Sequence, residues 1–171
     1  MRSKKVTMIT QGAIIAALYV VLTMVANAMG LANYAIQVRF SEALCILPFF
    51  TIAAIPGLSI GCLIANVLAG AIVWDVLFGS IATLLGAIGT YLLRKHKFLM
   101  MLPPVIANAV IVPLVLRYGY GITWELNGVD WSIPYFAFTV GIGEIISVCV
   151  LGSVLLNALL PYKNVIFRSL E

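Results

Sequence analysis

Long apolar segments with few charged residues between them constrain this sequence more than any other feature. Of the 171 residues, 63% are hydrophobic and only 9% are charged, whereas soluble domains carry about 25% charged residues. The mean hydropathy is +1.13, and a helix needs about 20 apolar residues to cross a bilayer. We therefore predict an all-α integral membrane protein that forms one transmembrane domain over residues 1–171.

The apolar segments predict about six membrane spans joined by short connections. Their approximate limits are 8–31, 41–54, 58–73, 76–93, 98–116 and 133–160. The second and third segments are short, and Pro56-Gly57 between them predicts a tight turn. These two segments could cross the membrane separately or form one re-entrant hairpin. The longest loop, residues 117–132, is rich in aromatic residues and could form a small cap or an interfacial aromatic belt.

Basic residues are distributed unevenly between the two sides of such a six-span arrangement. One side carries only Arg39 and Arg117. The other side carries Arg2, Lys4, Lys5, Arg94, Lys95, Lys97, Lys163 and Arg168. Because cytoplasmic loops are enriched in Lys and Arg, we expect both termini to be cytoplasmic in a multi-pass protein of the cell membrane.

Sequence motifs of several functional classes are missing. There is no GxxxxGK[ST] phosphate-binding loop and no HExxH zinc motif, so we expect neither ATP hydrolysis by this chain nor enzyme activity. The cysteines lie in apolar segments without CxxC or CxxH spacing, which argues against disulfides and metal sites. The net charge of +4 comes from basic residues at membrane edges, which argues against nucleic-acid binding.

Three acidic residues lie in or beside the apolar segments. Glu42 follows Arg39 in the stretch Val38-Arg39-Phe40-Ser41-Glu42-Ala43-Leu44, and a helix would place these two charges on one face, where they can pair. Asp75 directly precedes the fourth span, and Glu144 lies about 16 Å below the outer start of the sixth. Ionisable groups within a membrane are costly and usually mark a site or a pathway.

Amides and aromatic rings accompany these acids and complete a candidate substrate-binding site. A carboxylate can accept two hydrogen bonds from an amino group and an adjacent ring N–H, and an aromatic ring can stack on a flat heterocycle. The set therefore suits a planar, nitrogen-rich solute, possibly a cation. Its members are Glu144, Asp75, Glu42, Arg39, Asn66, Asn108 and Trp74.

Each member of this set also has a structural interpretation. Arg39 and Glu42 can form an ion pair at the interface, and Asp75 can cap the N-terminus of the fourth span. The two asparagines can form hydrogen bonds between helices. Glu144 is the hardest residue to explain in this way, because it lies deep in its span without a basic residue nearby in the sequence.

The first span carries two neighbouring pairs of small residues. Ala13 and Ala17 form one pair, and Gly12 and Ala16 form the other. Small residues four positions apart allow another helix to approach closely in lipid. The spacing alone leaves open whether that helix belongs to a partner protein or to this chain.

Taken together, these features resemble the substrate-binding (S) components of energy-coupling-factor (ECF) transporters, and more narrowly the QueT family of queuosine precursor transporters. The similarity covers essentially the whole chain. It rests on the six short-looped spans together with Ala13-xxx-Ala17, the stretch from Val38 to Leu44, Asn66, Trp74-Asp75 and Gly141-xx-Glu144.

The resemblance implies a subunit without its own cofactor that binds a solute from outside with high affinity. It implies docking through the Ala13 and Ala17 face on a transmembrane coupling (T) protein, which sits on two ATPase subunits, and toppling of the S component in the membrane. The solute would be 7-cyano- or 7-aminomethyl-7-deazaguanine. We expect Glu144 to bind the ring edge, and Asp75 or Glu42 to bind the exocyclic amine or hold a lid.

Three other interpretations fit the same residues. The chain could be an S component for another vitamin or a purine-like solute. It could be a small secondary transporter that couples solute movement to protons through Glu144. It could also be an accessory or scaffold protein of the membrane, which would bind no small solute.

Overall fold

Apolar helices make up most of the structure. The computed structural model describes residues 4–31 and 38–167. Within them, four helices are long and apolar enough to cross a membrane: Lys4–Ala28, Val73–Leu92, Leu99–Gly119 and Ser132–Ile166. Two shorter apolar helices, Phe40–Phe49 and Ala54–Leu68, complete the set. The prediction of an all-α membrane protein is confirmed, while Arg2 and Arg168 of the charge distribution lie outside the described residues.

The helices follow one another with short connections. The α-helices are α1 (Lys4–Ala28), α2 (Ala54–Leu68), α3 (Val73–Leu92), α4 (Leu102–Leu114), α5 (Ser132–Glu144), α6 (Gly152–Leu159) and α7 (Lys163–Ile166). A 3₁₀ helix, Phe40–Phe49, lies between α1 and α2, and shorter 3₁₀ segments, Leu99–Met101 and Leu160–Tyr162, precede α4 and α7. The π-helical segments Val115–Gly119 and Ile145–Leu151 extend α4 and α5.

The six apolar helices, with Ser132–Ile166 counted as one, alternate in direction along the chain and define two ends of the bundle. The Arg39 end contains the last turn of α1 and the first turn of α3, and the Arg94 end contains their opposite termini. At the Arg94 end, Gln11 Nε2 of α1 donates a hydrogen bond to the Ile166 carbonyl of α7 over 3.3 Å. The first and last described helices therefore meet at the same end.

The 3₁₀ helix Phe40–Phe49 is the central element of the bundle. Every residue from Ser41 to Pro48 is buried, as expected for a helix with apolar residues on most sides. At about 2 Å per residue its ten residues extend about 20 Å, which is less than the roughly 30 Å thickness of a hydrocarbon core. The second predicted span is thus a short, enclosed 3₁₀ helix.

The predicted turn at Pro56-Gly57 is wrong. The turn lies at residues 51–53, and Pro56 and Gly57 are in the first turn of α2. Proline is tolerated there because the first backbone N–H groups of a helix have no intrahelical partner. Gly57-Leu58-Ser59-Ile60-Gly61 also matches the GxSxG pattern of hydrolases, but it is continuous α-helix here, whereas that pattern requires a sharp strand-to-helix turn.

Helices α1 and α2 pack closely through small residues. A Cβ atom on Gly57 would lie 2.7 Å from the Gly12 carbonyl oxygen, and one on Gly61 would lie 3.0 Å from Ala16 Cα. The Gly12 and Ala16 pair therefore packs against this chain's own α2. Ala13 and Ala17 are exposed on the neighbouring face of α1.

The aromatic loop forms a small hairpin at the Arg39 end. Its strands β1 (Glu125–Leu126) and β2 (Val129–Asp130) pair in an antiparallel ladder. The connecting Asn127 and Gly128 have φ values of 53° and 76°, which is the Asn-Gly preference of tight two-residue hairpin turns. Arg117, in the π-helical segment after α4, forms a salt bridge with Asp130 (Nε–Oδ2 2.7 Å), so the hairpin is attached to the bundle.

Candidate functional site

A cavity of about 450 Å³ opens at the Arg39 end. It lies between α1, α2, α3 and α4, and residues before the 3₁₀ helix and in the aromatic loop also line it. Its polar lining residues are Thr23, Asn27, Arg39, Asn66, Asp75 and Tyr120. Three of the predicted site residues, Arg39, Asn66 and Asp75, therefore share one cavity.

Asp75 is held in this cavity by hydrogen bonds from two other segments, the aromatic loop and α2. It lies in the first turn of α3 and is buried. The Tyr120 hydroxyl donates a hydrogen bond to Asp75 Oδ2 over 3.0 Å, and Asn66 Nδ2 donates one to the Asp75 backbone carbonyl over 3.3 Å. No side-chain hydrogen bond caps α3, although an acid in this turn still favours the helix dipole.

Tyr120 connects the aromatic loop to the start of α3. Its hydroxyl accepts a hydrogen bond from the Ile72 backbone N–H over 3.4 Å, in addition to the bond that it donates to Asp75. Burial raises the pKa of Tyr120, and the Asp75 carboxylate raises it further. The hydroxyl is therefore a proton donor at neutral pH and helps to orient the Asp75 carboxylate.

Arg39 does not form the predicted ion pair with Glu42. It precedes the 3₁₀ helix with an extended backbone, at φ −104° and ψ 108°, so the helical spacing that would bring the two side chains together is missing. Within the described residues, the Arg117–Asp130 pair is the only salt bridge. Burial lowers the pKa of Arg39 and is the largest single effect. The Asp75 carboxylate and smaller contributions that include Glu42 together outweigh burial and raise this pKa.

A second polar layer lies one helical turn below the cavity lining. Tyr19, Cys62 and Asn108 each precede a cavity residue (Thr23, Asn66 and Val112) by four positions on helices that run toward the Arg39 end. Residues four apart lie on one face of a helix, about 6 Å apart along its axis. The polar side chains therefore continue from the cavity toward the centre of the bundle.

Glu42 belongs to this deeper layer. Its carboxylate accepts hydrogen bonds from the Tyr19 hydroxyl and from Cys45 Sγ, the latter over 3.0 Å. The side chain is 1% exposed. Both carboxylate oxygens thus have partners within the protein, and Glu42 fixes the 3₁₀ helix against α1.

Glu144 and Asn108 form the part of the deeper layer whose hydrogen bonds are incomplete. Both residues are buried, and the Asn108 side chain lies beside the Glu144 carboxyl group. Nevertheless, Asn108 Nδ2 and Glu144 Oε2 have no hydrogen-bond partner among the described residues. Buried polar atoms without partners are rare and costly, so this pair of atoms is a candidate contact for a bound molecule.

The backbone changes from α-helix to π-helix directly after Glu144. This residue is the last of α5, and the seven-residue π-helical segment Ile145–Leu151 follows it. Another π-helical segment, Val115–Gly119, follows Pro113 of α4 and leads to Tyr120. π-helical turns are uncommon and often occur at functional sites.

Gly79 lies close to Asn66 and Asp75, and its lack of a side chain leaves space beside them. This glycine lies one turn below Asp75 on α3. A Cβ atom at Gly79 would lie 3.0 Å from Asn66 Nδ2 and 3.5 Å from Asp75 Oδ1. A larger residue at this position would therefore press on Asn66.

Trp74 is not placed with the other predicted site residues. Its side chain is 57% exposed and stacks on Phe78 with ring centroids 6.0 Å apart. Neighbouring helix positions point about 100° apart, because a helix has 3.6 residues per turn. Since Asp75 faces the interior, Trp74 faces outward.

Three residues of the site were not predicted from the sequence: Tyr19, Thr23 and Asn27. The structure places Thr23 and Asn27 on the cavity and Tyr19 against Glu42. Their spacing of four residues is a detectable signal, because it predicts one polar stripe on an otherwise apolar span. Thr23 Oγ1 also lies 2.9 Å from Ser41 Oγ, which ties this stripe to the 3₁₀ helix.

The site as a whole can bind and orient a donor-rich molecule. Asp75 at the cavity and Glu144 below it provide carboxylate oxygens, and Asn66 and Asn108 provide amides. Carboxylates accept strong hydrogen bonds from N–H groups, and more strongly still from cations. These groups are the ones needed to replace the water around a polar, nitrogen-rich solute.

Comparison with known proteins identifies the family of this chain. A sequence profile described as the QueT transporter family matches residues 9–161. The queuosine precursor transporter QueT of Lactococcus lactis subsp. cremoris (strain MG1363) is 38% identical over 99 residues, which are 57% of this chain and 57% of that relative. No solved structure matches. The matched stretch spans little more than half the length of that relative. Since the profile covers most of the chain, this multi-pass membrane protein belongs to the QueT transporter family.

Proposed function

We propose that this chain is the substrate-binding S component of an ECF-type importer and that it takes up a queuosine precursor, 7-cyano- or 7-aminomethyl-7-deazaguanine. The observation that carries the proposal is the Asn108–Glu144 pair, with one buried donor and one buried acceptor unpartnered. The name of the Lactococcus lactis relative supports the solute class.

The proposed ligand and the deeper polar layer have complementary hydrogen-bonding groups. The pyrimidine edge of a deazaguanine presents a ring N–H and an amino group side by side, and one carboxylate can accept both bonds. Glu144 takes this role, because its Oε2 atom has no partner within the described chain. Asn108 assists, since its amide can donate to the carbonyl oxygen on the same edge.

The two other acids take different roles in this proposal. Asp75 faces the cavity and binds the exocyclic aminomethyl group of the cationic precursor. Glu42 is already bonded to Tyr19 and Cys45, so it supports the site rather than binding the solute. Arg39, Asn66 and Asp75 form the upper part of the site, and Trp74 is left out.

The Arg39 end is proposed to face the outside of the cell. Lys4, Lys5, Arg94, Lys95, Lys97 and Lys163 lie at the Arg94 end, which supports a cytoplasmic position for that end. Solute would then enter the cavity at the Arg39 end from outside. Both termini would be cytoplasmic, as the charge distribution predicts.

The exposed Ala13 and Ala17 face is the proposed docking surface for the coupling T protein and its two ATPase subunits. The neighbouring Gly12 and Ala16 pair is occupied by α2, whereas Ala13 and Ala17 are free to meet another helix. Small residues permit such close packing in lipid. An ATPase partner is needed in this proposal because the chain lacks the phosphate-binding loop.

Reconstitution into liposomes tests the proposed coupling. Labelled precursor should accumulate only when the chain is reconstituted with the T protein and both ATPase subunits, and only with ATP. Accumulation by the chain alone, driven by a proton gradient, would overturn the ECF assignment. That result would favour the secondary transporter. The supporting observation is that Glu144 is buried and forms no salt bridge with any described residue.

A further inference from the structure

A second cavity lies at the Arg94 end, on the opposite side of the bundle from the proposed solute site. Its volume is about 790 Å³. It is bounded by the turn after the 3₁₀ helix, the end of α3 and the α7 segment. This cavity plays no part in the proposed function.

The cavity combines two cationic side chains with an aromatic wall. Arg94 and Lys163 line it together with Asn164, while Phe49 and Phe50 form part of its apolar side. None of the described residues that line it is acidic. The cavity therefore carries a net positive charge next to an apolar surface.

Arg94 is held in place by the last turn of α3. Its guanidinium carbon lies 3.9 Å from the centre of the Tyr91 ring, and its Nη1 atom donates a hydrogen bond to the Tyr91 carbonyl over 2.8 Å. A stacked guanidinium loses little freedom when it binds an anion, and its remaining N–H groups match the oxygen atoms of a phosphate.

The depth of the cavity matches the headgroup region of a bilayer. Arg94 follows α3 by two residues, and Lys163 lies near the end of the span Ser132–Ile166. Basic pockets between transmembrane helices at this level bind anionic lipid headgroups. The aromatic wall can meanwhile contact the upper part of an acyl chain.

We propose that the cavity lined by Arg94 and Lys163 binds the phosphate headgroup of an anionic phospholipid. The lipid would fill the space between the turn after the 3₁₀ helix and α7. It would therefore hold together the same end of the bundle at which Gln11 contacts Ile166. This proposal is independent of the identity of the transported solute.

The test compares lipids that differ only in headgroup. Purified protein is mixed with dioleoyl phosphatidylglycerol or dioleoyl phosphatidylcholine, and retained lipid is counted by native mass spectrometry. We expect a preference for phosphatidylglycerol, with about a fivefold contribution from each of the two cations. The double variant Arg94→Gln/Lys163→Gln should lose that preference, and the matched variant Lys95→Gln/Lys97→Gln should keep it.

Other outcomes would overturn the proposal. Equal retention of both lipids, or equal loss in the two double variants, would mean that no specific headgroup site exists. If inorganic phosphate in excess raises the melting temperature as much as phosphatidylglycerol does, the cavity binds a free anion and the lipid assignment fails. The single variant Lys163→Gln, at an exposed position, provides the same comparison if the double variant does not fold.

Discussion

Asn108 on α4 and Glu144 at the end of α5 lie side by side in the buried centre of the bundle, and each retains a polar atom without a partner among the described residues. Most buried polar groups in proteins are hydrogen-bonded. The neighbouring Glu42 shows the contrast, because Tyr19 and Cys45 bond both of its oxygen atoms. Two buried acids in one layer thus differ in their capacity to bind a solute.

The role proposed for Asp75 predicts a change in selectivity. Asp75→Asn should weaken binding of the aminomethyl precursor by about tenfold or more, because a hydrogen bond to a charged group contributes about 1.5–3 kcal/mol. The neutral cyano precursor should be affected much less. Calorimetric titration of both ligands measures the difference. An equal loss for the two precursors would show that Asp75 does not distinguish the cation.

The close approach of α1 and α2 predicts a sensitive glycine. Gly61→Ala should destabilise the protein by about 1–3 kcal/mol, because the new Cβ atom would lie 2.8 Å from Tyr19 Cβ and 3.0 Å from Ala16. Thermal unfolding in detergent measures the effect. Gly141→Ala is the matched control, since the nearest atom would be 3.9 Å away. Equal melting temperatures for the two variants would contradict the packing described.

The exposed alanine face predicts a defect in assembly without a defect in binding. Ala13→Trp and Ala17→Trp should abolish co-purification with the T protein and ATPase subunits, because a large side chain prevents close helix contact. Precursor binding should persist, since neither residue lines the solute cavity. The control is Ile14→Trp, because Ile14 is exposed on an adjacent face of α1. This variant should leave the complex intact. A complex that survives both alanine substitutions would rule out this docking surface.

We expect the attachment of the hairpin through Asp130 to weaken at acid pH. Hydrogen bonds from Ser132 lower the pKa of Asp130, and Arg117 lowers it further. Because the pKa of Asp130 is lower in the folded state, its carboxylate stabilises the attached hairpin at pH values above the unfolded-state pKa of about 3.9. This stabilisation is lost as the pH falls through the folded-state pKa. Trp124 stacks on Tyr135, so its fluorescence should report loosening of the loop at acid pH.

A variant provides the same test at neutral pH. Asp130→Asn should change the Trp124 fluorescence in a protein whose other two tryptophans are replaced by phenylalanine. Glu125→Gln is the control, because Glu125 is an exposed acid on the same hairpin. If the two variants give the same spectrum, the Arg117–Asp130 salt bridge does not hold the loop.

Apolar length and composition were sufficient to predict the helical membrane fold. They also predicted that Arg39 and Asp75 would lie near one end, because these two residues flank spans that run in opposite directions, whereas Asn66 was expected near the middle of its span. The ion pair between Arg39 and Glu42 could not be predicted correctly, since it assumed an α-helical backbone. The segment begins with an extended Arg39 and continues as a 3₁₀ helix, and no local signal marks that choice.

Local sequence patterns also did not predict the hydrogen-bond partners of Glu42 and Asp75. Glu42 is bonded by Tyr19, which lies 23 residues earlier, and Asp75 by Tyr120, which lies 45 residues later. Such contacts depend on how helices are arranged in space. The outward direction of Trp74 was not predicted either, because neighbours in a sequence, such as Trp74 and Asp75, do not share a face on a helix.

Ligand binding by the wild-type protein and by Glu144→Gln tests the central claim most directly. In a thermal shift measurement, the cyano or aminomethyl deazaguanine at a thousandfold excess over its dissociation constant should stabilise the wild type by about 4 kcal/mol. Guanine and unrelated vitamins at the same concentration should stabilise it far less. Glu144→Gln should lose most of the stabilisation, and Glu125→Gln should keep it. No shift with either deazaguanine, or an undiminished shift in Glu144→Gln, would contradict the account.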